Sequence, residues 1–241
     1  MKRCNRKRAI ILAGGKGTRL RPYTVVLPKP LMPIGDYPIL EVIIRQLKQH
    51  DFTDITMAVN HQAEIIKAFF GDGSKWGVKI DYSLEDKALS TMAPLKLIKD
   101  LPDDFLVMNG DILTDLDFSK FYENHINSKN IFTISSYQRE VKSEFGVLDV
   151  DNVDTLIGFR EKPVTIYDVS MGIYMVSKRV LKYIPEDTFY GFDHLMLDLI
   201  KNNQKPKVKK FDGYWLDIGR VDDYNIAIDI FESNLNMFLK G

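Results

Sequence analysis

The chain has 241 residues, 45% of them hydrophobic and 27% charged, with 33 Lys+Arg balanced by 33 Asp+Glu and a single cysteine. That composition excludes a disordered chain and is enough for one large α/β domain or two small ones. A net charge of zero excludes a global field that would draw in nucleic acid or an anionic membrane, so an anionic ligand has to be handled locally; the lone Cys4 excludes an internal disulfide or a cysteine-rich zinc site and suits a reducing, cytoplasmic setting.

The chain opens with a basic leader, residues 1–8, holding five cations. The apolar run behind it, residues 9–13, is too short for a signal-peptide core or a membrane span. The leader is read as a solvated arm without function. Strand and helix patterns then alternate: strand 8–13, amphipathic helix 38–49, strand 54–59, helix 63–70, strand 78–83, and strand 105–108 running into Asn109-Gly110-Asp111. Such alternation predicts a mostly parallel sheet flanked by helices. After a helix at 118–127 come strands at 131–137, 146–150, 155–160 and 170–176, then a helix at 192–201. This mixed second half reads as an insertion or a substrate-side lobe on the same sheet. Residues 221–239 carry Tyr224, Ala227, Ile228, Phe231, Leu235 and Phe238 at helical spacing, with Asp222 or Asp223 as cap. Ile226, Ile230 and Met237 lie off that stripe, so a second apolar face serves either an oligomer contact or burial within one chain. No internal repeat interrupts the pattern.

The connection from Gly14 to Tyr37 is far longer than the usual βα loop of about 2–6 residues. It holds Gly14-Gly15-Lys16-Gly17-Thr18-Arg19-Leu20-Arg21-Pro22 and then Pro28-Lys29-Pro30. Glycines let backbone N–H groups crowd around phosphate oxygens, and fixed cations neutralise the charge, so this is a phosphate-handling loop. It is not a Walker A loop, because Gly17 follows Lys16. It is not a G-x-G-x-x-G loop either, because Leu20 replaces the third glycine.

This string resembles the signature of the sugar-1-phosphate nucleotidylyltransferases, which include mannose-1-phosphate guanylyltransferases and glucose-1-phosphate thymidylyltransferases. Three later stations match in order: Asn109-Gly110-Asp111, Glu161-Lys162-Pro163 and Trp215-Leu216-Asp217-Ile218-Gly219. The resemblance runs from about residue 8 to 225. It implies a Rossmann-like sheet in a single catalytic domain, residues 9–241. A nucleotide-binding half would span about 9–130, a sugar-binding half about 131–220 and a carboxyl-terminal helix 221–240.

The implied reaction is attack of a sugar 1-phosphate on the α-phosphorus of a nucleoside triphosphate, releasing pyrophosphate. Such a transfer needs positioning and charge compensation more than covalent work by the protein. The resemblance gives catalytic roles to Arg19 on the β/γ-phosphates, Lys29 on the α-phosphate and Lys162 on the sugar phosphate, with Asp111 and Asp217 holding Mg²⁺. Nucleotide contacts would come from Leu12, Ala13, Gly14, Gly15, Gly17, Thr18, Arg19, Glu85 and Ser90. Gly146, Glu161, Lys162 and Gly172 would contact the sugar phosphate.

The chain departs from the family at Leu89-Ser90-Thr91-Met92-Ala93-Pro94-Leu95, where relatives carry small residues in place of Ser90 and Met92. Ser90 would narrow the base slot or add a hydroxyl contact, Met92 would line the slot, and Thr91 would cap the following helix. Glu85 stands where many relatives read the base, and an ionised carboxylate suits the two adjacent donors of guanine. The expected order is GTP, then CTP, then UTP or dTTP. His50, His61, His125 and His194 lack metal-ligand spacing, and Met92, Met108 and Met171 read as core lining. Two other classes stay open: a cytidylyltransferase acting on a non-sugar phosphate such as phosphocholine, and a nucleotide-sugar-binding regulatory homologue without turnover. No carboxyl-terminal hexapeptide repeat is recognisable, so the expectation is a catalytic domain alone.

Overall fold

The computed structural model describes residues 6–15, 17–60 and 62–239. Most of the basic leader, with Cys4, lies outside the described residues, as do Lys16 and His61. The first strand, β1 (Lys7–Leu12), is buried along its centre because helices cover both faces of the sheet. Two short strands, β2 (Pro33–Ile34) and β3 (Tyr37–Pro38), lead into helix α1 (Ile39–Gln49). Then come β4 (Phe52–Val59), α2 (Ala63–Phe70), β5 (Lys79–Leu84), β6 (Asp104–Asn109), β7 (Ile112–Thr114) and α3 (Phe118–Ser128). The second half adds β8 (Phe132–Lys142), β9 (Val147–Val150), β10 (Leu156–Arg160), β11 (Val164–Ser177) and α4 (Phe192–Lys201). It ends with β12 (Lys207–Phe211), β13 (Trp215–Asp217), α5 (Val221–Ser233) and α6 (Leu235–Phe238).

Seven strands form one sheet in the order β12-β8-β11-β6-β1-β4-β5. The pairs β1/β4, β1/β6, β4/β5 and β12/β8 are parallel, whereas β11 runs antiparallel to both neighbours. The two-residue period of the strands splits the core between the faces. Ala9 and Ile11 of β1, with Leu106 and Met108 of β6, pack under α1, α2, α3 and α5. Ile10, Phe105 and Val107 face the other way, toward α4. Met92, Met108 and Met171 are all buried. Among the described residues no helix is long and apolar enough to cross a membrane.

The predicted strand and helix types hold along this order; the structure adds the short strands β2, β3, β7 and β13, which the sequence does not predict, and differs in four further places. The strand β12, Lys-Val-Lys-Lys-Phe, carries no apolar alternation because it is an edge strand, where lysines discourage pairing with another chain. The terminal helix is not continuous: Asn234, at φ −135° and ψ 37°, separates α5 from α6. Arg220, rather than Asp222 or Asp223, occupies the cap of α5, and the two aspartates fall in its first turn, where they still favour the positive helix end. Thr91 does not cap the short helix at Ala93–Leu97, whose cap is Met92. Its Oγ1 instead accepts the Phe192 N–H at 2.9 Å, at the start of α4.

Candidate active site

The carboxyl ends of β1, β4, β5 and β6 point the same way, because these strands are mutually parallel. The loops leaving these strands therefore gather at one rim, the end where open α/β sheets present ligands. Backbone bonds tie the rim together: Ala13 N–H donates to Ala58 O at 2.9 Å, Gly110 N–H to Leu12 O at 3.0 Å, and Glu85 N–H to Val59 O at 2.9 Å. A cavity of about 380 Å³ opens there, walled by Leu12, Ala13, Gly14, Gly15, Lys29, Glu85, Ser90 and Asp111. All eight are residues that the sequence singles out. Met92 does not line it; it is fully buried in the core against α4, since its backbone N–H is held by Tyr190 O at 3.1 Å.

The glycine loop turns at Gly17, whose φ of +60° puts the chain in the left-handed region and where a Cβ would stand 2.9 Å from the Thr24 methyl. Thr24 Oγ1 donates to Gly17 O at 2.6 Å, and Leu20 is fully buried behind it. This geometry carries Gly17, Thr18 and Arg19 past the cavity wall. The Arg19 guanidinium lies instead beside Gly219 and the Asp217 carboxylate: a Cβ at Gly219 would be 3.2 Å from Arg19 Nη2 and 3.2 Å from Asp217 Oδ2.

Asp217 reaches Asp111 through strand register. In the ribbon of β7 and β13, Asp217 pairs with Ile112, and the Ile218 N–H donates to Asp111 O at 3.0 Å. Lys29 forms an ion pair with Asp111 Oδ2. Asp111 Oδ1 is buried and accepts no hydrogen bond from the described residues. Burial pushes the Asp217 carboxyl above the usual carboxylate range, the neighbouring Asp111 charge pushes the same way, and Lys29, Arg19 and Arg139 oppose both. Two carboxylates with a bare buried oxygen suit a hard cation that completes its shell with phosphate and water, as Mg²⁺ does. Among the described residues no cluster of three or more His, Cys, Asp or Glu side chains forms a fuller metal cage.

The predicted sugar-phosphate residues divide. Gly172 does not line the cavity but sits behind Asn109, which does: at φ +73° its missing side chain makes room for that residue, whose Nδ2 would lie 2.6 Å from a Cβ there. Gly146, Glu161 and Lys162 sit farther out, on the lobe formed where β8 and β11 run beyond the sheet and meet the β9/β10 hairpin. Glu161 Oε2 would be 3.3 Å from a Cβ at Gly146, so these two adjoin. Lys162 is exposed at φ 42° in the turn after β10, closed by the Ser143 N–H donating to Pro163 O at 3.0 Å. None of the three lines the cavity.

Other residues enter to which the sequence assigns no role of their own, Asn109 among them although the sequence singles out its turn. Asn60 and Asn109 line the cavity from the ends of β4 and β6, a place the strand-end rule could have indicated. Phe189 joins them from the loop before α4, with no signal in its own segment. Arg139 lies two residues along β8 from Tyr137, on the same face of the strand, and the Tyr137 ring meets Trp215 at 5.5 Å, two residues from Asp217. Trp215 is in turn fixed by its Nε1–H donating to Met171 O at 3.0 Å. The described histidines play other parts: His125 is buried between Thr133 and Asp104, His50 faces Asp117, and His194 faces Asp193.

Residues 8–233 match the model of a family described as Nucleotidyl transferase. A UTP–glucose-1-phosphate uridylyltransferase of Synechocystis sp. is 36% identical over 92% of this chain, which spans only 62% of that relative's length. A D-glycero-alpha-D-manno-heptose 1-phosphate guanylyltransferase of Campylobacter jejuni is 34% identical over 90% of this chain and 96% of its own. Among solved structures, HddC from Yersinia pseudotuberculosis complexed with GMP-PN superposes with a TM-score of 0.70, at 26% identity, covering 93% of this chain and 99% of that one.

Proposed function

The chain belongs to the nucleotidyl transferase family, and from that premise we propose that it transfers a nucleotidyl group from a nucleoside triphosphate to a sugar 1-phosphate. An oxygen of the sugar phosphate forms a bond to the α-phosphorus, the α–β anhydride bond breaks, and pyrophosphate leaves with the electron pair. The observation that carries this reading is the convergence on one rim of the glycine loop, Lys29 and Asp111, with Asp217 and Arg19 adjoining.

Each of these residues has work suited to its chemistry. Backbone N–H groups of Gly14 and Gly15 can approach phosphate oxygens closely, and Arg19 offers a planar, permanently charged fork for the departing pyrophosphate. Lys29, held by Asp111, compensates charge at the α-phosphate. Asp111 and Asp217 would hold Mg²⁺, which when bound neutralises and orients the triphosphate. Lys162, presented by the lobe, is the cation for the incoming sugar phosphate, with Glu161 and the backbone at Gly146 and Gly172 beside the sugar hydroxyls.

For the base, the buried Glu85 carboxylate supports guanine ahead of cytosine and uracil or thymine, because guanine alone presents two adjacent donors to it. The relatives' names support a hexose or heptose 1-phosphate as acceptor. A cytoplasmic setting fits the lone cysteine.

The test is magnesium-dependent pyrophosphate release by purified protein across four triphosphates and a set of sugar 1-phosphates, with phosphocholine included. Release with one triphosphate and one sugar phosphate is expected. Release with phosphocholine alone would reassign the acceptor, and nucleotide-sugar binding without any release would make the protein a regulatory homologue.

A further inference from the structure

We infer that Phe189 is the platform on which the nucleobase stacks, so that the face of the base is covered by a residue from the second half of the chain while Glu85 reads its edge. The inference rests on the proposed nucleotide binding and adds to it a binding residue. Phe189 lines the same cavity as Glu85, Ala88 and Ser90, yet 60% of its surface is open to solvent. Its ring has no hydrogen-bonding group and gains by burying area against another flat surface.

The ring is held by its surroundings. Tyr190 N–H donates to Leu89 O at 3.0 Å, and Tyr190 O accepts from Met92 and Ala93, each at 3.1 Å. The Tyr190 side chain is buried, with its hydroxyl donating to Asp198 Oδ2 at 2.6 Å. Phe189, the preceding residue, is thus presented by an anchored backbone, and its ring meets His194 edge-on at 6.3 Å. Ser90 belongs to the same knot: its φ is +69°, and its Oγ would be 2.9 Å from a Cβ at Gly191. The backbone at Ser90 is therefore left-handed, and its hydroxyl lies against the start of α4.

A stacking face is tolerant of base identity, since every base has a π-face, so Phe189 should set affinity and leave discrimination to Glu85. The test compares wild type, Phe189→Ala and Phe189→Tyr by calorimetric titration with GTP and UTP in the presence of Mg²⁺, and with pyrophosphate as a probe lacking a base. Phe189→Ala should weaken GTP and UTP about tenfold or more while leaving pyrophosphate affinity unchanged, and Phe189→Tyr should restore both nucleotides. Unchanged nucleotide affinity in Phe189→Ala overturns the inference, and so does a parallel loss of pyrophosphate, which would mean that the loop had collapsed. Should the alanine variant fold poorly, Phe189→Leu keeps the bulk without the aromatic face and should show the same selective loss. If folded wild type binds neither nucleotide and turns over no substrate pair, the nucleotidyl-transfer reading itself fails; if wild type binds and turns over but Phe189→Ala matches it, only the stacking inference does.

Discussion

Asp111 divides its carboxylate between two tasks, one oxygen paired with Lys29 and the other buried without a hydrogen bond from the described residues. Asp111→Asn keeps the volume and removes the charge, so it should lower kcat by roughly two to three orders of magnitude, the scale of losing one electrostatic stabiliser from a site. The circular dichroism spectrum should stay that of wild type; wild-type turnover would remove Asp111 from the reaction. Glu85 offers a pH-dependent test. Burial pushes its carboxyl up, against the opposing hydrogen bond from the Leu89 N–H. A carboxyl raised in the folded state favours folding while protonated and loses that contribution as pH climbs from the unfolded value, about 4.3, through the raised one. Glu85→Gln removes the loss. Its thermal midpoint relative to wild type should rise across that window and stay higher at pH 7, while its preference among triphosphates shifts away from GTP. A stability difference that does not vary with pH would show that Glu85 does not titrate there, and an unmoved triphosphate ranking would show that it does not read the base.

Two elements position the site from the second half of the chain. The strand β11 changes register against β8 between Ser170 and Tyr174, and Gly172 at φ +73° makes the bend into which Asn109 fits. Gly172→Ala would meet both the left-handed backbone cost, roughly 1–2 kcal/mol, and the Asn109 amide. We expect the thermal midpoint to fall by about 2–8 °C, from about 2–4 °C per kcal/mol for a chain of this size, together with weaker nucleotide binding. A midpoint within a degree of wild type would mean that the bend relaxes freely. The outer lobe should behave differently, because β9 and β10 form a two-stranded hairpin with much exposed surface and little core of its own. Lys162→Ala, on its turn, should raise KM for the sugar phosphate and lower kcat while leaving nucleotide affinity intact; an unchanged sugar-phosphate KM would separate the lobe from the acceptor.

At the scale of the molecule, one sheet carries residues from Leu12 to Phe189 to a common cavity, so nucleotide binding should stabilise the whole fold. GTP at about a hundred times its Kd should add about 2.7 kcal/mol and raise the thermal midpoint by roughly 5–10 °C in a single transition, measured with Mg²⁺. A shift confined to part of the transition would indicate two independently melting halves. Much of this architecture is legible in the sequence. The two-residue period of β1 and β6, the helical stripes of α1 and α5, the glycine loop and the Asn109-Gly110-Asp111 turn are local patterns, and burial on one face of one segment is enough to encode them. The lysine-rich β12 escaped because an edge strand needs no apolar face, and the break at Asn234 escaped because the stripe continues across it. What only the tertiary structure decided is which distant segments meet. The register of β7 against β13 puts Asp217 beside Asp111, the ion pair joins Lys29 to that aspartate, and the backbone bonds of Tyr190 bring Phe189 to the wall that Glu85 lines. Nothing in those segments taken singly specifies the pairing, because hydrogen-bond register and side-chain packing come into being only when the strands and loops are already side by side.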